Sequence, residues 1–149
     1  MTSSVPDIRR YRAEDNAALT EIWHRASAIS HGFLGAQTLL AHRQLVSEIY
    51  LPRAETWVAW LDGDPVGFLG LLDDFIGGLF IAPERQGQGI GQALLCHGLT
   101  LKGRLCLDVY AANEGAVRFY LRMGFVETAR RKQDKEGLPF EEISMCLAR

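Results

Sequence analysis

Gly87, Gly89 and Gly91 stand in the segment Arg85-Gln-Gly-Gln-Gly-Ile-Gly91, after an apolar run, Leu79-Phe-Ile-Ala-Pro83, that reads as the end of a strand. The stretch Gln92 to Leu101 that follows reads as a helix. A chain that leaves a strand through glycines and opens a helix aims backbone N–H groups forward from a partly positive helix N-terminus, where a phosphate or pyrophosphate fits. Glycine matters because a Cβ would hold the anion away from those groups, and Arg85 adds a cation at the rim. Two users of such loops are excluded by spacing. A Walker loop needs a Lys after its last glycine, but Gln92 follows Gly91. A dinucleotide fingerprint needs G-x-G-x-x-G within a βαβ unit, whereas these glycines run G-x-G-x-G after what reads as an antiparallel meander. A tight strand-to-helix turn with no ligand accounts for the same glycines.

Other side chains with chemistry are scattered. His31 lies in the apolar segment His31-Gly-Phe-Leu34, and its ordinary pKa near neutrality suits either a general base or a loop anchor. Asn113 is a good N-cap for a run carrying Ala116, Val117, Phe119, Tyr120 and Met123. Tyr120 on that run is either a half-buried aromatic or a phenol held for hydrogen bonding. His24, His42 and His97 share no H-E-x-x-H or comparable spacing, so no metal site is expected. Cys96, Cys106 and Cys146 lack C-x-x-C spacing and sit in apolar segments, where core thiols are expected. Phe33, Leu34, Trp57, Trp60 and Phe140 suit an apolar pocket or a core, and the core reading fits the strand-borne tryptophans better.

The periodicity supplies the elements that must position these groups. A first strand spans Asp7 to Arg12, and Leu19, Ile22, Trp23, Ala26 and Ile29 repeat at helical spacing. A second helical run carries Leu39, Leu40, Val46, Ile49 and Tyr50 and is expected to end before Pro52. Alternating stretches at Thr56 to Leu61, Pro65 to Leu72 and Phe75 to Ala82, broken at Asp62-Gly-Asp64 and Asp73-Asp74, make a three-strand meander. The glycine loop and its helix come next, then a strand with Leu105, Leu107 and Val109, the Asn113 helix up to Gly124, and strands Val126 to Lys132 and Phe140 to Leu147. The order β-α-α-β-β-β-α-β-α-β-β implies an α+β fold, with one mixed, mostly antiparallel sheet of about seven strands flanked by helices.

A chain of 149 residues, 48% hydrophobic, suits a single domain over residues 1–149. A net charge of -2 offers no broad basic field for nucleic acid. The start Met-Thr-Ser-Ser-Val-Pro-Asp has neither the basic end nor the apolar core of a secretory signal, so a cytoplasmic protein is expected. No membrane partner is expected either. The most apolar stretch, Val66 to Ala82, contains Asp73, Asp74 and four glycines and falls short of the roughly 20 apolar residues a span needs. An open edge on the last strand leaves monomer and homodimer both compatible.

Gln86 to Gly91 reads Q-x-x-G-x-G, and Asn113 to Phe125 reads N-x-x-A-x-x-x-Y-x-x-x-G-F. Both segments, with the order of elements over almost the whole chain, resemble the GCN5-related N-acetyltransferase (GNAT) family, and the His-x-Phe-Leu loop is similar to that of small bacterial members. The resemblance implies acetyl transfer from acetyl-CoA to a primary amine of a small molecule or peptide by direct attack. It implies that Leu79, Phe80 and Ile81 lie along the pantetheine arm, with a strand N–H facing the thioester oxygen. Arg85, Gln86, Gly87, Gln88, Gly89, Ile90, Gly91 and Gln92 would hold the diphosphate region, and Asn113, Ala116 and Tyr120 would line the cofactor channel. Tyr120 matches the tyrosine that serves the departing sulfur; full proton transfer from a phenol to a thiolate at ordinary pKa values is uphill by roughly 2 kcal/mol, so a strengthening hydrogen bond is the expected role. His31, Phe33 and Leu34 would border the acceptor. Many members carry a carboxylate on the strand before the loop, but Phe75-Ile-Gly-Gly-Leu-Phe-Ile81 has none. His31 then becomes the candidate base, and a non-catalytic acyl-CoA-binding role is the alternative.

Overall fold

The computed structural model describes residues 5–148; Met1 to Ser4 at the N-terminus and Arg149 lie outside it. Strand β1 (Asp7–Arg10) leads into helix α1 (Asn16–Ser30) and helix α2 (Ala36–Leu45). The second helix does not stop before Pro52. It continues through a π-helical turn (Val46–Tyr50) into a last turn, α3 (Leu51–Arg53), which contains Pro52. Strands β2 (Glu55–Leu61), β3 (Asp64–Leu72) and β4 (Phe75–Ile81) form the meander. Helix α4 (Ile90–Lys102), strand β5 (Arg104–Tyr110), helix α5 (Glu114–Met123), and strands β6 (Val126–Arg131) and β7 (Glu142–Ala148) complete the chain.

The seven strands make one sheet in the order β1-β2-β3-β4-β5-β7-β6. Every pairing is antiparallel except β4 with β5. The expected mixed sheet flanked by helices is borne out. Period two sends alternate side chains to opposite faces. Ala59, Leu69, Leu107 and Val109 pack with Ile90, Leu94, Leu95 and Tyr120 under α4 and α5, whereas Val58 and Phe68 pack with Leu19, Ile22, Trp23, Leu39 and Leu51 under the N-terminal helices. Burying each large apolar side chain stabilises the fold by about 1.5–3 kcal/mol.

Several expectations about burial fail. Ile29, Leu40, Ile49 and Tyr50 are exposed, because the helical stripe that reaches the sheet is narrower than the run of apolar residues. Nor are the cysteines core thiols. Leu105, Leu107 and Val109 take the core face of β5, which puts Cys106 on the other face, opposite Cys146 of β7, and the two sulfurs form a disulfide. Cys96 is exposed on α4.

Candidate active site

The parallel pairing of β4 with β5 is short: Phe75 stands against Cys106 and Ile76 against Leu107, and no further pairs follow. Beyond them the strands diverge, so residues 77–81 of β4 are laddered to β3 on one side only. An extended, amide-bearing ligand finds there a free strand edge of the kind that accepts β-augmentation. Leu79, Phe80 and Ile81 lie on that edge. The carbonyl of Ile81 also accepts the Gln86 side-chain amide at 3.3 Å, which ties the glycine loop to the strand end.

Past a short turn (Pro83–Arg85), Gly87 and Gly89 take φ of 76° and 80°, the left-handed region where glycine alone is unstrained. Gly89 is the N-cap of α4, and a Cβ on Gly87 or Gly89 would meet no protein atom within 4 Å. The loop is therefore not forced into glycine by internal crowding; its backbone faces open space at the N-terminus of a 13-residue helix. That arrangement fits a diphosphate. Gly91 differs: a Cβ there would lie 3.2 Å from Phe119, so its glycine lets α4 approach α5. Ile90 is buried, leaving only its backbone to face a ligand, while Gln88 and Gln92 are exposed. Arg85 stands 3.7 Å from Asp62 across the β2–β3 turn.

On α5, Asn113 caps the helix by accepting the N–H of Ala116 at 3.3 Å. Its side-chain amide also reaches Nε2 of His31 at 3.3 Å. Since Asn113 Oδ1 serves the cap, Nδ2 donates, and His31 Nε2 accepts. Burial lowers the His31 pKa to about 4, with a smaller contribution from His42, so the imidazole is neutral over the physiological range. Tyr120 is buried against Phe119 and Phe125, and burial pushes its phenol pKa well up. Among the described residues its hydroxyl has no hydrogen bond, yet it is absent from the sealed unpartnered polar atoms, which are Ser27 Oγ and His97 Nε2.

The face of the sheet under α1 and α2 carries a cleft of about 360 Å³. Trp23, Leu34, Leu39, Val46, Phe68 and Phe80 give it apolar depth, and Gly77 and Gly78 bring it to the β4–β5 divergence. His31 lines it too, edge-on to the Tyr110 ring with centroids 5.4 Å apart. Phe33 packs edge-on to Phe140 and Tyr110 instead, and Trp57 and Trp60 take packing roles in the two cores.

A model of the acetyltransferase (GNAT) domain matches residues 52–127. The chain belongs to the GNAT family. It is 41% identical to the peptidyl-lysine N-acetyltransferase YjaB of Salmonella typhimurium over 140 residues, 93% of this chain and 96% of that one. The solution structure of apo-form YjaB from Escherichia coli superposes with a TM-score of 0.87 at 36% identity, covering 95% of this chain and 97% of the other. The crystal structure of the PaiA N-acetyltransferase from Thermoplasma acidophilum in complex with coenzyme A shares the fold, with a TM-score of 0.79 at 17% identity over 97% and 99% of the two chains.

Within this GNAT domain the cleft has polar residues that sequence reasoning missed. Asp108, Tyr110, Asp134, Glu136 and Glu142 line it. Asp108 accepts from Ser144 at 2.5 Å and Lys135 at 2.9 Å and lies 3.4 Å from Arg131; together they hold its carboxyl below the usual range, against the effect of burial. Glu142 pairs with Arg131 at 2.9 Å, and Glu136 with His42 at 3.1 Å. Asp108 and Tyr110 were readable: with Leu107 and Val109 facing the core, alternation points their neighbours the other way. Among the described residues no helix is long and apolar enough to cross a membrane.

Proposed function

We propose that this enzyme moves an acetyl group from acetyl-CoA to the ε-amine of a lysine in a peptide or protein. The observation that carries the reading is the divergence of β4 and β5, which joins the glycine-loop side of the sheet to the cleft on its other side. Support for a lysine acceptor comes from the relatives' names and from a cleft with apolar walls and carboxylates, which suits an aliphatic stem bearing a cation.

Acetyl-CoA supplies an activated thioester carbonyl and a diphosphate anchor. Backbone N–H groups from Gly87 to Gly91 hold the anion, and the free edge at Leu79 to Ile81 aligns an extended arm, converting a bimolecular encounter into a positioned one. A β4 N–H facing the carbonyl oxygen stabilises the charge that builds there. Tyr120, kept protonated by burial, donates to the departing sulfur. His31, neutral and bonded to Asn113, positions the acceptor loop against α5, and the incoming ammonium loses its proton to water at the cleft mouth.

The test is acetyl-CoA turnover with a panel of lysine peptides and small amines, the product located by mass spectrometry. Acetyl on a peptide ε-nitrogen is the expected result. Transfer to small amines alone would overturn the peptide reading and keep the enzyme.

A further inference from the structure

Residues 132–141 join β6 to β7 as a roof fastened over the cleft. Asp134, 6% exposed, accepts the N–H groups of Glu136 and Leu138 at 3.0 and 2.8 Å through one oxygen and the Tyr110 hydroxyl at 2.8 Å through the other. Glu136 meets His42 of α2 at 3.1 Å, and Phe140 packs on Phe33 with centroids 5.0 Å apart. Between these fastenings Lys135 lines the cleft, its Nζ 2.9 Å from Asp108 Oδ2 and 4.7 Å above the Phe75 ring. A carboxylate and an aromatic face hold this ammonium in the cleft read above as the acceptor's.

We propose that Lys135 is a self-acetylation site, modified in cis by the active site beneath it. The proposal rests on the acetyltransferase reading. Lys135 first gives one proton to water, which its 64% exposed side chain allows. Its Nζ then forms the N–C bond to the thioester carbon, the C–S bond breaks, and the second amine proton ends on sulfur, giving an amide and free CoA thiol. The β4–β5 divergence begins at Gly77, two residues or about 7 Å along β4 from Phe75, an interval within the span of a swinging four-carbon stem. No association step is needed, which favours this lysine over one arriving from solution. The acetylated side chain is neutral and no longer pairs with Asp108, leaving that carboxylate to Arg131, to Ser144 and to an incoming cation.

The chain has three lysines, Lys102, Lys132 and Lys135, so peptide mapping after incubation of the whole protein with acetyl-CoA reads the outcome directly. Expected is labelling of Lys135 at least about tenfold faster than of Lys102 or Lys132, at a rate per molecule independent of protein concentration. Lys135→Arg should abolish the label, and Tyr120→Phe should slow it in step with peptide turnover. A second readout needs no acetyl-CoA: the ε-methylene protons of Lys135 should be shifted upfield by the Phe75 ring and return to ordinary values in Phe75→Leu. Peptide acetylation with Lys135 unlabelled overturns the proposal and leaves the acetyltransferase reading intact. Labelling that rises with protein concentration, or is even over the three lysines and persists in unfolded protein, overturns the in-cis assignment. Acetyl-CoA binding with neither peptide nor Lys135 labelled overturns both readings.

Discussion

The sides proposed here for the donor and the acceptor are built by different means. On the donor side a contiguous stretch, Gln86 to Gly91, and two residues of one helix, its N-cap Asn113 and Tyr120 two turns on, carry the arrangement, and much of it is backbone. On the acceptor side the cleft collects Trp23, His31, Phe75, Asp108 and Asp134 from four separate segments, fastened by side-chain contacts such as Tyr110 to Asp134, 24 residues apart. Where backbone holds the ligand, conformation matters more than side-chain identity, with Tyr120 the exception on that side. A side-chain-built half behaves the other way, which lets one donor platform serve different acceptors.

The sharpest way to break that contrast is a conformational change on the donor side. Gly89→Val places a β-branched residue at φ 80° and puts its side chain into the space in front of α4. Acetyl-CoA affinity should fall by about 100-fold, close to 3 kcal/mol, measured by calorimetry on protein whose circular dichroism is native. Unchanged affinity would remove the loop from the site. Next in size is Tyr120→Phe, which keeps the ring packed against Phe119 and Phe125 and removes only the hydroxyl. Turnover should drop by about 30-fold with acetyl-CoA affinity within twofold, the pattern of an interaction made in the transition state. Equal turnover would reduce Tyr120 to packing.

The same contrast explains what could be read before the structure was known. The strands, their succession along the chain and the glycine loop follow from period, breakers and local spacing, all of which are short-range, whereas the place of β7 between β5 and β6 comes from long-range pairing. His31 and Leu34 were placed with the acceptor from resemblance, and both line the cleft. Asp134 was missed because a buried aspartate in a D-K-E-G turn looks like any solvated loop until Tyr110 is brought to it from β5. Cys106 and Cys146 were misjudged for a related reason: their neighbours are apolar in sequence, but only strand pairing reveals that the two stand opposite each other, on the face away from the core under α4 and α5.

Acceptor-side predictions are smaller and should leave the donor side alone. Asp134→Ala removes the acceptor of two backbone N–H groups and the Tyr110 hydroxyl. It should lower stability by about 2 kcal/mol and raise the KM for a lysine peptide by about fivefold, with acetyl-CoA affinity unchanged. A parallel loss of acetyl-CoA affinity would mean that the two sides are one cooperative unit.

His31 gives the smallest catalytic effect and the finest test. Its folded-state pKa, about 4, lies below the ordinary 6.5 because burial penalises the charged ring. The unfolded chain thus takes up this proton first as pH falls, so the stability contributed by the neutral ring is present above about 6.5, declines between there and about 4, and levels off below. The loss amounts to no more than about 3 kcal/mol. Urea midpoints at pH 7.5 and 4.5 should therefore differ more in the wild type than in His31→Gln, which carries no titrating ring. A residue neutral across the assay range also cannot set an ionisation near 6.5 in kcat/KM, so the acid limb of the pH profile should stay in place in His31→Gln while KM rises about two- to threefold from loss of the Asn113 contact. Disappearance of an acid limb near 6.5 in that variant would make His31 the base and move the proton-accepting step from solvent into the cleft.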